Sequence, residues 1–193
     1  MEVIFLEPRD LEPREYFEKQ LDRTDKWLSF AEAKNAALVA LSLAMSGVIV
    51  KWIGNPGTDS LRTRNFLTLD LWLFIISLLI ALFSFYPNLS KTPQINSDSK
   101  KKDSNFNLAF YGDIQSFSSA EEYISCFCSQ YKYPLFKVMK RPFINLANEI
   151  IINSQITAKK YKLFKYALGL DAFVFILFLC ISLNNSSLQL LNH

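Results

Sequence analysis

The chain has 193 residues, half of them hydrophobic, with 17 Phe, only 5 Gly and a formal net charge of +3. That length suits one domain or a small domain with membrane spans, and the slightly positive mean hydropathy is high for a soluble protein. Three cysteines, Cys126, Cys128 and Cys180, exclude a disulfide framework and fit a reducing interior.

The first nine residues, Met1 to Arg9, lack a basic stretch followed by an apolar one, so a cleaved signal peptide is not expected and the first span inserts uncleaved. Residues 1–34 form the first segment, and from residue 10 they read as a polar, amphipathic helix. Pro13 suits its first turn, and Glu12 and Glu15 suit the positive end of the helix dipole. Phe17, Leu21, Thr24, Leu28 and Ala31 recur at helical spacing, with Trp27 and Phe30 beside them. This face packs on the protein's own cytoplasmic part, lies in the headgroups, or pairs with another subunit.

No breaker separates this helix from residues 35–53, which carry no charge before Lys51 and roughly match one crossing of a hydrocarbon core about 30 Å thick. Lys51 and Trp52 suit the far interface. Ala37, Ala40, Ala44 and Gly47 fall near one face, for packing inside the subunit or contact between subunits. Gly54-Asn-Pro-Gly57 opens a link over 54–68 on the far side of the membrane. Residues 69–86 read as a second span, with Asp70 at its start within reach of water, Trp72 and Tyr86 at its two interfaces, and Pro87 ending it.

Residues 87–105 are a Ser-, Asn-, Lys- and Pro-rich linker containing Lys100-Lys101-Lys102. Order resumes at Asn107-Leu-Ala-Phe-Tyr-Gly-Asp-Ile114, where a glycine permits positive φ. Ser119-Ala-Glu-Glu122 is a capping-box pattern that predicts a helix to about Lys132, ended by Tyr133-Pro134. Cys126 and Cys128, two apart on that helix, point to different sides and make poor metal partners. The chain is helical again from Leu135, with a bend expected at Arg141-Pro142. The basic run Thr157 to Tyr166 closes a helical region over 106–166. Residues 167–183 form a third span that carries Asp171, and 184–193 form an uncharged tail.

The fold class that follows is an all-α integral membrane protein with three transmembrane helices and an α-helical cytoplasmic region. Lysines 159, 160, 162 and 165, next to the third span, put the middle region in the cytoplasm by the positive-inside rule, and with it the N-terminus. Residues 1–34 balance at −3 and residues 87–166 at +6, so the two cytoplasmic parts either attract one another or are simply solvated.

Catalytic patterns are missing from the sequence. The single histidine is His193, and no glycine-rich phosphate loop, Ser/His/Asp set or zinc spacing occurs, so the expectation is a non-enzyme with no metal or resident cofactor. Asp113, Glu121 and Glu122 are explained more cheaply by a helix start than by paired carboxylates.

Three stretches resemble the transmembrane effectors of the bacterial Pycsar anti-phage system. They are Ala31-Glu-Ala-Lys-Asn-Ala-Ala-Leu38 running into the first span, Phe110-Tyr-Gly-Asp-Ile114 followed by a helix with Glu122-Tyr123, and Ala158-Lys-Lys-Tyr-Lys-Leu163 leading into the last span. Glu32 and Asn35 depart from that family's pattern in the first stretch. In such systems a phage-triggered pyrimidine cyclase makes cyclic CMP or cyclic UMP. The resemblance implies an inner-membrane effector, acting as a homo-oligomer, that senses this nucleotide and impairs the bilayer to cause abortive infection. It implies no nucleic acid polymer as partner.

A cyclic nucleotide offers an anionic phosphate for lysines and a flat base for an aromatic face. On that reading the ligand contacts are Tyr111, Gly112, Asp113, Lys159, Lys160 and Tyr161. The alternative is a membrane scaffold or adaptor whose amphipathic N-terminal helix recruits a cytoplasmic partner.

Overall fold

The computed structural model describes residues 12–55, 61–86 and 106–191, with side chains to 183. Helices α1 (Pro13–Ile53), α2 (Leu61–Phe83), α3 (Tyr111–Ile114), α4 (Ala120–Tyr131), α5 (Leu135–Val138) and α6 (Arg141–Leu191) follow in order, and the described residues contain no strand. Three of them, α1, α2 and α6, are long and apolar enough to cross a membrane, so the chain is an all-α protein of the membrane-spanning class. The expected linker 87–105, residues 1–11 and Pro56 to Ser60 lie outside the described residues.

α1 is one uninterrupted helix of 41 residues. Pro13 occupies its first turn, where the missing N–H has no helical partner to lose. The pairs Arg14–Glu18, Glu15–Lys19 and Asp22–Lys26, all at i,i+4, line its exposed side. Gly54 closes it, donating to the Val50 carbonyl at 3.1 Å.

The chain forms two compact units. The first holds residues up to 30 and 87–159; the second holds 31–86 and 160 onward. The first has an aromatic core: Phe17, at 0% exposure, meets Tyr123, Phe127 and Phe143 edge-on, with ring centroids 5.1–5.9 Å apart. The apolar face of the N-terminal helix therefore packs on its own chain. Tyr16 and Tyr123 both donate to the Leu108 carbonyl, at 3.4 and 3.3 Å, and burial raises both phenols above the ordinary tyrosine value. α4 starts at the expected cap, where Ser119 Oγ accepts from the Glu122 N–H at 3.2 Å. It ends at Lys132, in the left-handed region with φ 57°.

The second unit is built from the later part of α1, α2 and the later part of α6. Its buried positions repeat at steps of three, four or seven: Asn35, Leu38, Ser42 and Ile49 on α1; Leu67, Asp70, Phe74, Ser77, Ala81 and Ser84 along α2 and its last turn; Lys160, Ala167, Asp171, Val174 and Phe178 on α6. This is the spacing of left-handed helix bundles. Two apolar layers stack within it. One joins Leu38, Ala81 and Ala167; the other joins Ile49, Leu67, Phe74, Val174 and Phe178.

Several sequence expectations change. The helix that carries the second expected span begins at Leu61, because Arg62 and Arg64 continue it as polar residues ahead of the apolar stretch. Asp70, expected within reach of water, is 1% exposed on the inner face. In place of the bend expected at Arg141-Pro142 the helix breaks at Met139–Lys140, and Pro142 sits in the first turn of α6. α6 is one continuous helix from Arg141 to Leu191, and the two units part within it at Lys159/Lys160. Ala37, Ala40, Ala44 and Gly47 are all exposed, so the small-residue face does not pack inside the unit.

Candidate functional site

The expected ligand contacts fall into two sets. Tyr111, Gly112 and Asp113 belong to the first unit, with Lys159 as its last residue; Lys160 and Tyr161 belong to the second. In the first set each residue has a structural task. The Asp113 carboxylate accepts from the Asn107 N–H at 3.0 Å and pins the loop that leads into α3. Gly112 has no positive φ. Its bareness answers a different need: a Cβ there would come within 2.3 Å of the Phe110 ring. Tyr111 meets Trp27 edge-on at 5.2 Å, and Phe110 completes the cluster at 4.8 Å from Tyr111. Phe110 keeps much of its ring exposed, so the cluster is a partly open aromatic face.

Lys159 is exposed. Lys160, one residue on, turns inward. Its ammonium donates to Glu32 at 2.7 Å, with the lysine side chain 11% exposed and the glutamate 48%. The ring of Phe85 lies 5.8 Å from the same ammonium. Lys34 stands 5.3 Å from the centre of the Tyr161 ring and 5.8 Å from that of Phe164. Nearby on α1, the Asn35 amide donates to the Ala31 carbonyl at 2.9 Å, while its buried Oδ1 has no hydrogen-bond partner. Among the described residues, one end of the second unit thus brings together the ammonium groups of Lys34 and Lys160, the rings of Phe85, Tyr161 and Phe164, and the Glu32 carboxylate on Lys160.

Such a cluster suits a flat anion. A phosphate has the charge to replace Glu32 on Lys160, and Tyr161 or Phe164 offers a face to a ring. Lys160 and Tyr161 are sequence-expected contacts that share this cluster; Glu32, Lys34, Asn35, Phe85 and Phe164 were not among them. Glu32, Lys34 and Asn35 do lie in the stretch that leads into the first span, so a signal existed for α1. The Lys160–Glu32 pair joins residues 128 apart in sequence, a separation no local pattern reports.

The Pycsar effector protein domain matches residues 16–184, which take in all of α2 and all but the outer ends of α1 and α6. The chain belongs to the Pycsar effector family. It is similar to the Pycsar effector protein RsPycTM of a Rhizobium species, at 28% identity over 148 residues that cover 76% of this chain and 81% of the relative. No solved structure matches it. Among the described residues no group of His, Cys, Asp and Glu could hold a metal ion.

Proposed function

We propose that this Pycsar effector is switched on by a cyclic pyrimidine mononucleotide, cyclic CMP or cyclic UMP, and then impairs the bacterial inner membrane, ending in abortive infection. The observation that carries the proposal is the Lys160–Glu32 pair at one end of the membrane unit, 2.7 Å long and flanked by Lys34, Tyr161, Phe164 and Phe85. The nucleotide's phosphate takes Lys160 from Glu32, Lys34 adds the second positive charge, and the pyrimidine lies on Tyr161. Lys159, exposed on the preceding residue, draws the anion in.

A ligand shifts an equilibrium only by binding one state better. Here the resting state has Lys160 neutralised by Glu32, and the active state is the one in which the phosphate replaces that carboxylate. The cluster faces the cytoplasm, where the nucleotide is made, with the N-terminus on the same side. The effector has no catalytic step, needs no cofactor and acts as a homo-oligomer in the bilayer.

Calorimetric titration of the detergent-solubilised full chain with cyclic CMP and cyclic UMP tests the sensor. The expected result is saturable binding of one of them, lost in Lys160→Met and tightened in Glu32→Gln. Equal heats from wild type and Lys160→Met, or no binding of either nucleotide, would remove the claim.

A further inference from the structure

The outer face of the second unit is apolar, with Leu41, Leu43, Leu69, Trp72, Ile76, Phe173 and others exposed, as lipid requires. Its interior is where the polar groups are. Asn35, Ser42, Asp70, Ser77, Ser84 and Asp171 are all at least nine-tenths buried, and they come from all three helices. The two stacked layers fix their order along the bundle. Asn35 lies one turn before Leu38 and Ser84 just beyond Ala81, so both stand at the end that also holds Lys160. Past the Leu38–Ala81–Ala167 layer come Ser42 and Asp171, joined by a 2.6 Å hydrogen bond from the Ser42 hydroxyl to the carboxylate. Ser77 donates to the Ala167 carbonyl at 3.0 Å on the same stretch. Asp70 sits deeper, on the α2 face between Leu67 and Phe74 of the second apolar layer.

Four atoms of this seam have no hydrogen-bond partner: Asn35 Oδ1, Ser84 Oγ, Asp70 Oδ2 and Asp171 Oδ1. All are oxygens. Unpartnered carboxylate, carbonyl and hydroxyl oxygens inside a membrane bundle are expensive unless water or a cation reaches them, and they are the ligand set of hard cations. The layer of Ile49, Leu67, Phe74, Val174 and Phe178 is apolar, with Asp70 on the α2 face between Leu67 and Phe74, and Trp52 packs edge-on against Phe178 with centroids 5.6 Å apart. An apolar constriction of this kind blocks ions by excluding water.

We propose that this oxygen-lined seam is the path of small monovalent cations through the activated effector, closed at rest by the Ile49–Leu67–Phe74–Val174–Phe178 layer. Membrane impairment is then a cation leak through the protein, not a disordering of lipid. The inference rests on the reading that the effector acts on the bilayer, but not on which nucleotide triggers it.

The test uses the full-length protein in planar bilayers under a KCl gradient, without nucleotide. Val174→Ser wets the apolar layer and is expected to give a constitutive current that reverses near the potassium potential. Adding Asp70→Asn and Asp171→Asn should lower the potassium-over-chloride preference several-fold, and Asp171→Glu should keep it. Phe178→Ser serves as a second opening variant if Val174→Ser does not keep its helical content. A current without ion preference, passage of a large dye alongside potassium, or a preference unmoved by the two Asn substitutions would overturn the seam. If wild type stays silent with cyclic CMP and cyclic UMP while the opening variant conducts cations, the nucleotide reading fails and the seam stands. Nucleotide binding by titration with no cation-selective current in either opening variant is the reverse case.

Discussion

The two units are inside-out relative to each other. In the first, aromatic rings fill the interior and the charges of Arg14, Glu15, Glu18, Lys19, Asp22 and Lys26 stay in water. In the second, Leu, Ile and Phe cover the outside while Asn35, Asp70 and Asp171 are buried. The first unit has an aromatic core beneath a charged surface, stabilised by burying apolar area. The second faces lipid, where apolar burial drives nothing between helices and packing with polar contacts does the joining. A carboxylate such as Asp171 is poor cement there, since its Oδ1 has no partner. Burying it there costs stability rather than adding it.

Substitutions in the two cores should therefore behave oppositely. Phe17→Ala removes a ring that meets four others and should cost about 3–5 kcal/mol. A large drop in the melting temperature of the detergent-solubilised protein checks it, and a small drop would mean that the aromatic core is not what holds the first unit. Asp171→Leu should leave stability unchanged or raise it, because it replaces a half-satisfied buried carboxylate with apolar volume while Ser42 keeps its bond to the Leu38 carbonyl. A strong loss of stability there would show that the Ser42–Asp171 bond is structural.

Smaller effects sharpen the same contrast. Gly112→Ala drives a methyl into the Phe110 ring and should cost about 1–3 kcal/mol, largely restored by Phe110→Ala in the same chain. No rescue would point to the backbone instead. The pH dependence of the first unit follows from Tyr16 and Tyr123, whose phenols are raised by burial. The unfolded chain ionises them near the ordinary tyrosine value of about 10, while the folded chain keeps them neutral. Their contribution is therefore full below that pH and is lost progressively above it. Alkaline unfolding followed by tyrosinate absorbance should show them ionising late and cooperatively; normal titration in the folded protein would contradict this.

The sequence made some of this legible and hid the rest. Three apolar stretches, Pro13 in a first turn and the Ser119 cap carry short-range signals, and each has its counterpart in the structure. The start of α2 was hidden because Arg62 and Arg64 look like link while their backbone is already helical. The seam was hidden differently. Ser42, Asp70, Ser77 and Asp171 look incidental among leucines until their three-four spacing is read on each helix, and hydropathy averages erase that spacing. Gly112 looked like a turn glycine, but a neighbour's ring, not φ, demands it. Glu32 and Lys160 meet only through tertiary packing.

The most direct test is potassium release from proteoliposomes carrying the full chain, on addition of cyclic CMP or cyclic UMP. One of the two nucleotides should trigger rapid release from wild-type vesicles and none from Lys160→Met vesicles. Release that ignores both nucleotides, or that survives unchanged in Lys160→Met, would contradict a nucleotide switch at the Glu32–Lys160 pair.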